Sequence, residues 1–152
     1  MKYFLTAIAL LAPLSVLALV LSWPGLPLTQ FTGQLENVYG FLGLLGVVSF
    51  AILGMLYKIL PFLVWFGSYS KFIGRNKVPA LAEMYSEKWQ IAGCWLWVAG
   101  LLTTSTAALL GNPAVVRGGC ALLALSLATL AVNFAKILSH GWHPKIEALN
   151  FK

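Results

Sequence analysis

Apolar residues run in four long blocks, separated by short stretches that hold nearly all the polar positions. The blocks cover about residues 3–23, 37–66, 90–110 and 114–138. Each is near or above the ~20 residues an α-helix needs to cross a bilayer core. The stretch 23–33, WPGLPLTQFTG, is rich in turn formers and uncharged, and reads as a loop. The stretch 67–89 carries the main charge cluster. Gly111-Asn112-Pro113 is a tight turn, and the segment from Ser139 to Lys152 is a polar tail. The second block is longer than one bilayer core, and Pro61 removes a backbone donor within it, so a bend is expected there. The first block follows Met1-Lys2 as a signal peptide would. It exceeds the usual apolar length of such a peptide and no A-x-A site follows, so a retained helix is expected. No strand is predicted. The expected fold is all-α: one domain over 1–152, an integral membrane four-helix bundle.

Composition removes most alternatives to that reading. Of 152 residues, 60% are hydrophobic and 9% charged, against about 25% charged in soluble domains. A chain with so few polar groups has lipid as its main solvent. There is no Asp, and ten Lys and Arg against four Glu give a net charge of +6. In a four-span arrangement Lys2, Lys71, Arg75, Lys77, Lys88, Lys136, Lys145 and Lys152 fall on one side and Arg117 on the other. The positive-inside rule then places both termini in the cytoplasm, with a bacterial inner membrane as the expected location. Trp23, Trp65, Tyr69, Trp89 and Trp142 sit where interfacial aromatic belts belong. Topology accounts for the basic residues, and no nucleic-acid motif is present.

Small residues mark the packing faces. Gly43 and Gly54, eleven apart, share a face of the second helix; Gly93 and Gly100 are seven apart on the third. Such residues allow the close approach that helix association in lipid depends on. Cys94 and Cys120 lie in apolar blocks without metal or redox spacing and read as small hydrophobes.

Candidate chemistry is sparse. Ser126, Thr129, Asn133, Lys136 and His140 recur at steps of 3, 4, 3 and 4 and form a polar stripe on the fourth helix. Lys58 and Gln90 lie at the same level on their own helices. The seven residues define a candidate polar path for a proton or ion, or a quinone headgroup site. The structural reading beside it is that Ser, Thr and Asn bridge helices by hydrogen bonds worth ~0.6 kcal/mol each. Lys58 is the only charge between Val38 and Phe66, near the expected cytoplasmic boundary, where its stem can carry the ammonium to the headgroups. His140 and His143, at i and i+3 on one tail, form at best two-thirds of a metal site and cannot clamp a haem between helices. No nucleophile elbow, phosphate loop or catalytic triad is present, so no enzyme activity, metal or cofactor is expected.

The segment GLLGVVSFAILGMLYKILPFLVW with ALAEMYSEKWQIAGCWLWVAGLL resembles part of the haem-copper oxidase subunit I superfamily, in particular the C-type oxidases and their nitric-oxide-reductase relatives. Gly54, Tyr57 and Pro61 match a G-x-x-Y-x-x-x-P pattern ending a glycine-rich helix; Tyr85, Ser86 and Lys88 match an element leading into the next. The resemblance spans about two fifths of the chain. Tyr39 and Phe41 stand where the family carries its haem-ligating histidines, and the copper-ligand histidines have no counterpart. The resemblance therefore implies a non-catalytic membrane protein without haem or copper, an accessory or scaffold component of a respiratory complex. Its partners would be the lipid bilayer and another membrane protein or a second copy of itself. The alternative is a small oligomeric transporter or channel using the polar path.

Overall fold

The computed structural model describes residues 2–25, 27, 29–72, 76–78, 80–142 and 147–148. Arg75, His143, Lys145 and Lys152 lie outside the described residues, as does most of the polar tail. Four helices long and apolar enough to cross a membrane make up almost all of the structure. They are α1 (Lys2–Leu21), α2 (Gln30–Phe72), α3 (Glu87–Leu109) and α4 (Pro113–Trp142). The chain is a multi-pass membrane protein of the all-α class.

The helices alternate in direction. Phe4 at the start of α1 lies against Gly54 of α2, and Leu14, further along α1, against the earlier Gly43. The start of α1, the start of α3 and the last third of α4 therefore share one end of the bundle. Tyr3 bonds to Gln90, and Asn133 to Ser86, at that end. Gly111 and Gln34 meet at the other.

The turn between α3 and α4 shows how local sequence closes helix ends. Gly111 takes φ +65°, a left-handed conformation open to glycine. Its N–H bonds to Ala108 O at 3.2 Å, and the Asn112 N–H to Ala107 O at 3.0 Å, a Schellman closure of α3. Asn112 Oδ1 then accepts from Ala114 N at 3.1 Å and caps α4, with Pro113 in the first helical position.

From this turn α3 and α4 run antiparallel in close contact. Ser126 Oγ donates to Gly93 O at 2.6 Å. A Cβ at Gly100 would lie 2.8 Å from Leu123 Cγ, and one at Gly119 would lie 2.8 Å from the Thr104 backbone N. Any side chain at these glycines would push the helices apart and forfeit dispersion contacts. The approach has a cost: Thr104 Oγ1 and Ser105 Oγ are buried without a hydrogen-bond partner among the described residues. Thr103 and Thr106, one step round the helix, instead bond back to carbonyls of their own helix at 2.8 Å. Thr104 turns its hydroxyl toward Gly119, where Cα–H groups offer only weak donation.

At 43 residues, α2 would be about 64 Å long, twice the hydrocarbon thickness. It begins at Gln30 rather than 37, because Thr29 caps it: Thr29 Oγ1 accepts from Thr32 N at 3.3 Å. Between Leu42 and Val48 it widens into a π-helical stretch. Trp97 Nε1 of α3 donates to Leu45 O at 2.9 Å, and Ser49 Oγ to Leu44 O at 3.0 Å, so side chains take up carbonyls of the stretch. Pro61 is buried inside continuous helix.

Because Gly54 stands level with the start of α1, residues 55–72 reach about 27 Å beyond it. A second core forms there. Tyr69, Met84 and Ile137 are 0% exposed, with Leu60, Trp65, Val78, Tyr85 and Phe134 around them. The stretch 67–89, read from sequence as a charged loop, instead completes α2 and begins α3, and the strap between them packs Val78, Met84 and Tyr85 under the ends of α2 and α4. The carboxylate of Glu83 accepts from Ala80 N at 3.3 Å and steadies a short 3₁₀ turn, Leu81–Glu83. Contrary to the strand-free expectation, the strap also forms a two-residue antiparallel ladder, Asn76 opposite Ala148 and Lys77 opposite Glu147. Two residue pairs lack the apolar alternation that would reveal a strand in sequence.

Adjacent glycines give a controlled test of the close approach. Gly119→Ala should destabilise the protein by about 1–3 kcal/mol. Gly118→Ala, whose Cβ meets nothing within 4 Å, should be neutral or stabilising by up to about 1 kcal/mol. Thermal or SDS unfolding in detergent micelles measures the difference, and equal effects would refute the packing assignment.

Candidate functional site

The stripe on α4 divides once the helices are packed. Ser126, Thr129 and Asn133 are buried; Lys136 is exposed. The buried face continues from Asn133 to Ile137 and then to half-buried His140. Lys136 lies about 80° round the helix from Ser126, at the edge of this face, so a 3-4-3-4 count placed it one step too far inward.

The buried members spend their hydrogen bonds on neighbouring helices or on α4 itself. Ser126 reaches Gly93 O, and Thr129 Oγ1 donates to Ser126 O at 2.7 Å. Asn133 is 1% exposed and carries the most connections. Its Oδ1 accepts from Ser86 N at 2.9 Å, and its Nδ2 donates to Ser86 O at 3.1 Å and to Tyr57 Oη at 3.3 Å. Ser86 is the N-cap residue of α3, and its own side chain makes no capping bond. Asn133 thus pairs both backbone groups of the residue where α3 begins. His140 lies further along α4, with Nδ1 3.3 Å from Tyr69 Oη in the second core. Metal-ligating side chains do not gather in threes among the described residues.

Tyr57 joins this node to a ring cluster. It stacks on Tyr3 at 5.4 Å between centroids, meets Phe134 edge-on at 5.2 Å and lies 6.0 Å from Tyr85. Tyr3 Oη donates to Gln90 O at 3.1 Å. Gly54 makes room for α1, since a Cβ there would lie 3.2 Å from Phe4 N. The residues Gly54, Tyr57 and Pro61 are all contact points of α2, each used to receive another helix or to pack a core.

Lys58 and Gln90 do come together, but away from the α4 stripe. Both line a cavity of about 220 Å³ with Tyr3, Gly54, Tyr57, Tyr85, Glu87 and Ile91. The cavity lies among the starts of α1 and α3 and the middle of α2. It gathers one ammonium, one carboxylate, one amide and three phenols, groups suited to charge pairing and hydrogen bonding of a small polar ligand. Sequence reasoning missed Glu87 here, although Glu87 and Gln90 are three apart and share a helix face. It missed Tyr3 and Tyr85 because nothing local says which helix an end will meet. Comparison with known protein families, curated proteins and solved structures finds no match for this chain.

Replacing Asn133 by Leu should cost about 1–3 kcal/mol, since it removes the partner of the half-buried Ser86 N–H and C=O. Lys136→Met, on the exposed edge, should change stability by less than about 0.5 kcal/mol. Unfolding in detergent checks both. An Asn133→Leu protein as stable as the parent would show that the node carries no weight.

Proposed function

We propose that the chain is a non-catalytic polytopic membrane protein, an accessory or scaffold component of a respiratory membrane complex. The observation that carries this reading is the filled interior. Ser126, Thr129 and Asn133, the inner part of the candidate path, are hydrogen-bonded to helix backbone or to Tyr57. Ser126 and Asn133 spend their side chains on joining helices and Thr129 on its own helix, which favours a structural role over an ion route. The outer faces meanwhile present large apolar residues on every helix, such as Leu19, Leu44, Trp95 and Leu127, a surface for lipid or for another membrane protein. The resemblance to oxidase subunit I supplies the respiratory context, and the replacement of its histidines by Tyr39 and Phe41 supplies the non-catalytic role. Exposed Lys71, Lys88 and Lys136 lie at the end where α1 starts and α4 finishes. The positive-inside rule makes that end cytoplasmic in a bacterial inner membrane.

Purification from native membranes in mild detergent tests this reading. Another membrane protein should co-purify, and the visible spectrum should lack a stoichiometric b-type Soret band. A Soret band, or recovery of this chain alone, would overturn it. In proteoliposomes the protein should pass no ions. Flux abolished by both Lys58→Met and Asn133→Leu would replace the scaffold with the channel alternative.

A further inference from the structure

The cavity holding Lys58 is not isolated. Ile91 also lines an apolar groove of about 400 Å³ between α1 and α3, walled by Leu5, Cys94, Trp95 and Val98. Leu5 and Trp95 are exposed at 59% and 69%, so the groove opens to the bilayer. Numbering along α1 and α3 fixes its direction: from Tyr3 and Gln90 at the cavity, the groove runs to Thr6 and Val98, deeper along both helices. A polar chamber near a helix end thus adjoins an apolar groove that runs toward the middle of the bilayer. That is the outline of a membrane amphiphile with its head at the boundary and its chain inward.

The charges in the chamber select the head. Lys58 attracts a phosphate, and the Gln90 side-chain amide and the Tyr85 hydroxyl are suited to donate to its oxygens. Glu87 opposes a headgroup of net negative charge and calls for a second, cationic pole on the same ligand. The rings of Tyr3, Tyr57 and Tyr85 suit a cation as well. A primary ammonium satisfies Glu87 by N–H donation, which a quaternary ammonium cannot do. A quinone has no cationic pole. We infer that cavity and groove together form a binding site for one phosphatidylethanolamine molecule, with phosphate toward Lys58, ammonium toward Glu87 and an acyl chain along Leu5, Cys94 and Val98. The site is independent of the scaffold reading: it rests on cavity, groove and charge placement alone.

Native mass spectrometry of the full chain in detergent, with equal amounts of phosphatidylethanolamine, phosphatidylglycerol and phosphatidylcholine, tests this. One phosphatidylethanolamine should be retained with a preference of about tenfold over the other two, as charge-assisted hydrogen bonds give. Lys58→Met should lower retention of all three lipids, and Glu87→Gln should abolish the preference over phosphatidylglycerol. Lys136→Met, outside the cavity, should leave both unchanged. Soluble glycerophosphoethanolamine should compete poorly, because it lacks the chain. Equal retention of the three lipids by the parent protein would overturn the proposal. So would an unchanged preference in Glu87→Gln, or displacement of the lipid by a stoichiometric quinone.

Discussion

In a bilayer core no water is available to a backbone group left without a partner. Asn133 meets the same need at the end of the bundle, where the half-buried strap passes into α3. The strap must end and α3 must begin within one residue, Ser86, whose side chain does not cap the helix. The buried amide of Asn133 pairs with both the N–H and the C=O of Ser86 and bonds Tyr57 with its remaining donor. Tyr57 stacks on Tyr3, and Tyr3 bonds to Gln90. One carboxamide thereby links α4 to α3 and α2, and through two rings to α1. The level at which the four helices meet, and hence the place of the cavity, follows from this chain of contacts.

The same constraint shapes the rest of the bundle. Lipid supplies no hydrophobic drive between helices, so association depends on close approach and hydrogen bonds. Gly93, Gly100 and Gly119 allow α3 and α4 to touch nearly backbone to backbone. Two hydroxyls without partners among the described residues, those of Thr104 and Ser105, are tolerated in return. Around α2 the approach is looser and the devices differ. The indole of Trp97 holds Leu45 O where the helix widens, and Gly54 admits the first turn of α1.

Function follows from where packing succeeds and where it stops. Along α4 the buried polar side chains, Ser126, Thr129 and Asn133, are consumed by the fold. At the mouth of α1, α2 and α3 the helices diverge enough to leave a small chamber. There the groups kept away from the packed face converge: Lys58, Glu87 and Gln90. The proposed scaffold role and lipid site both draw on this division between bonded side chains along α4, apolar outer faces and one polar chamber.

The four spans were legible because runs of about twenty apolar residues have one stable solution in lipid. The common end of the start of α1 and the finish of α4, and the Gly111-Asn112-Pro113 turn, were legible for equally local reasons: an even span count, and the backbone needs of one glycine, one cap and one proline. The polar stripe was readable as far as Asn133, where helical periodicity alone decides the face. Beyond it, Lys136 and Ile137 both lie near that face, and only the presence of Tyr69 and Met84 turned Ile137 inward. The strap hid its core in the same way: Met84 sits among charges in sequence and is covered by two helices that the chain reaches elsewhere. Whether Lys58 meets lipid or other polar groups was likewise beyond the sequence. Periodicity reports the angle of a residue about its own helix; the identity of the neighbour across that angle exists only once four helices, each able to rotate and slide, have settled against one another.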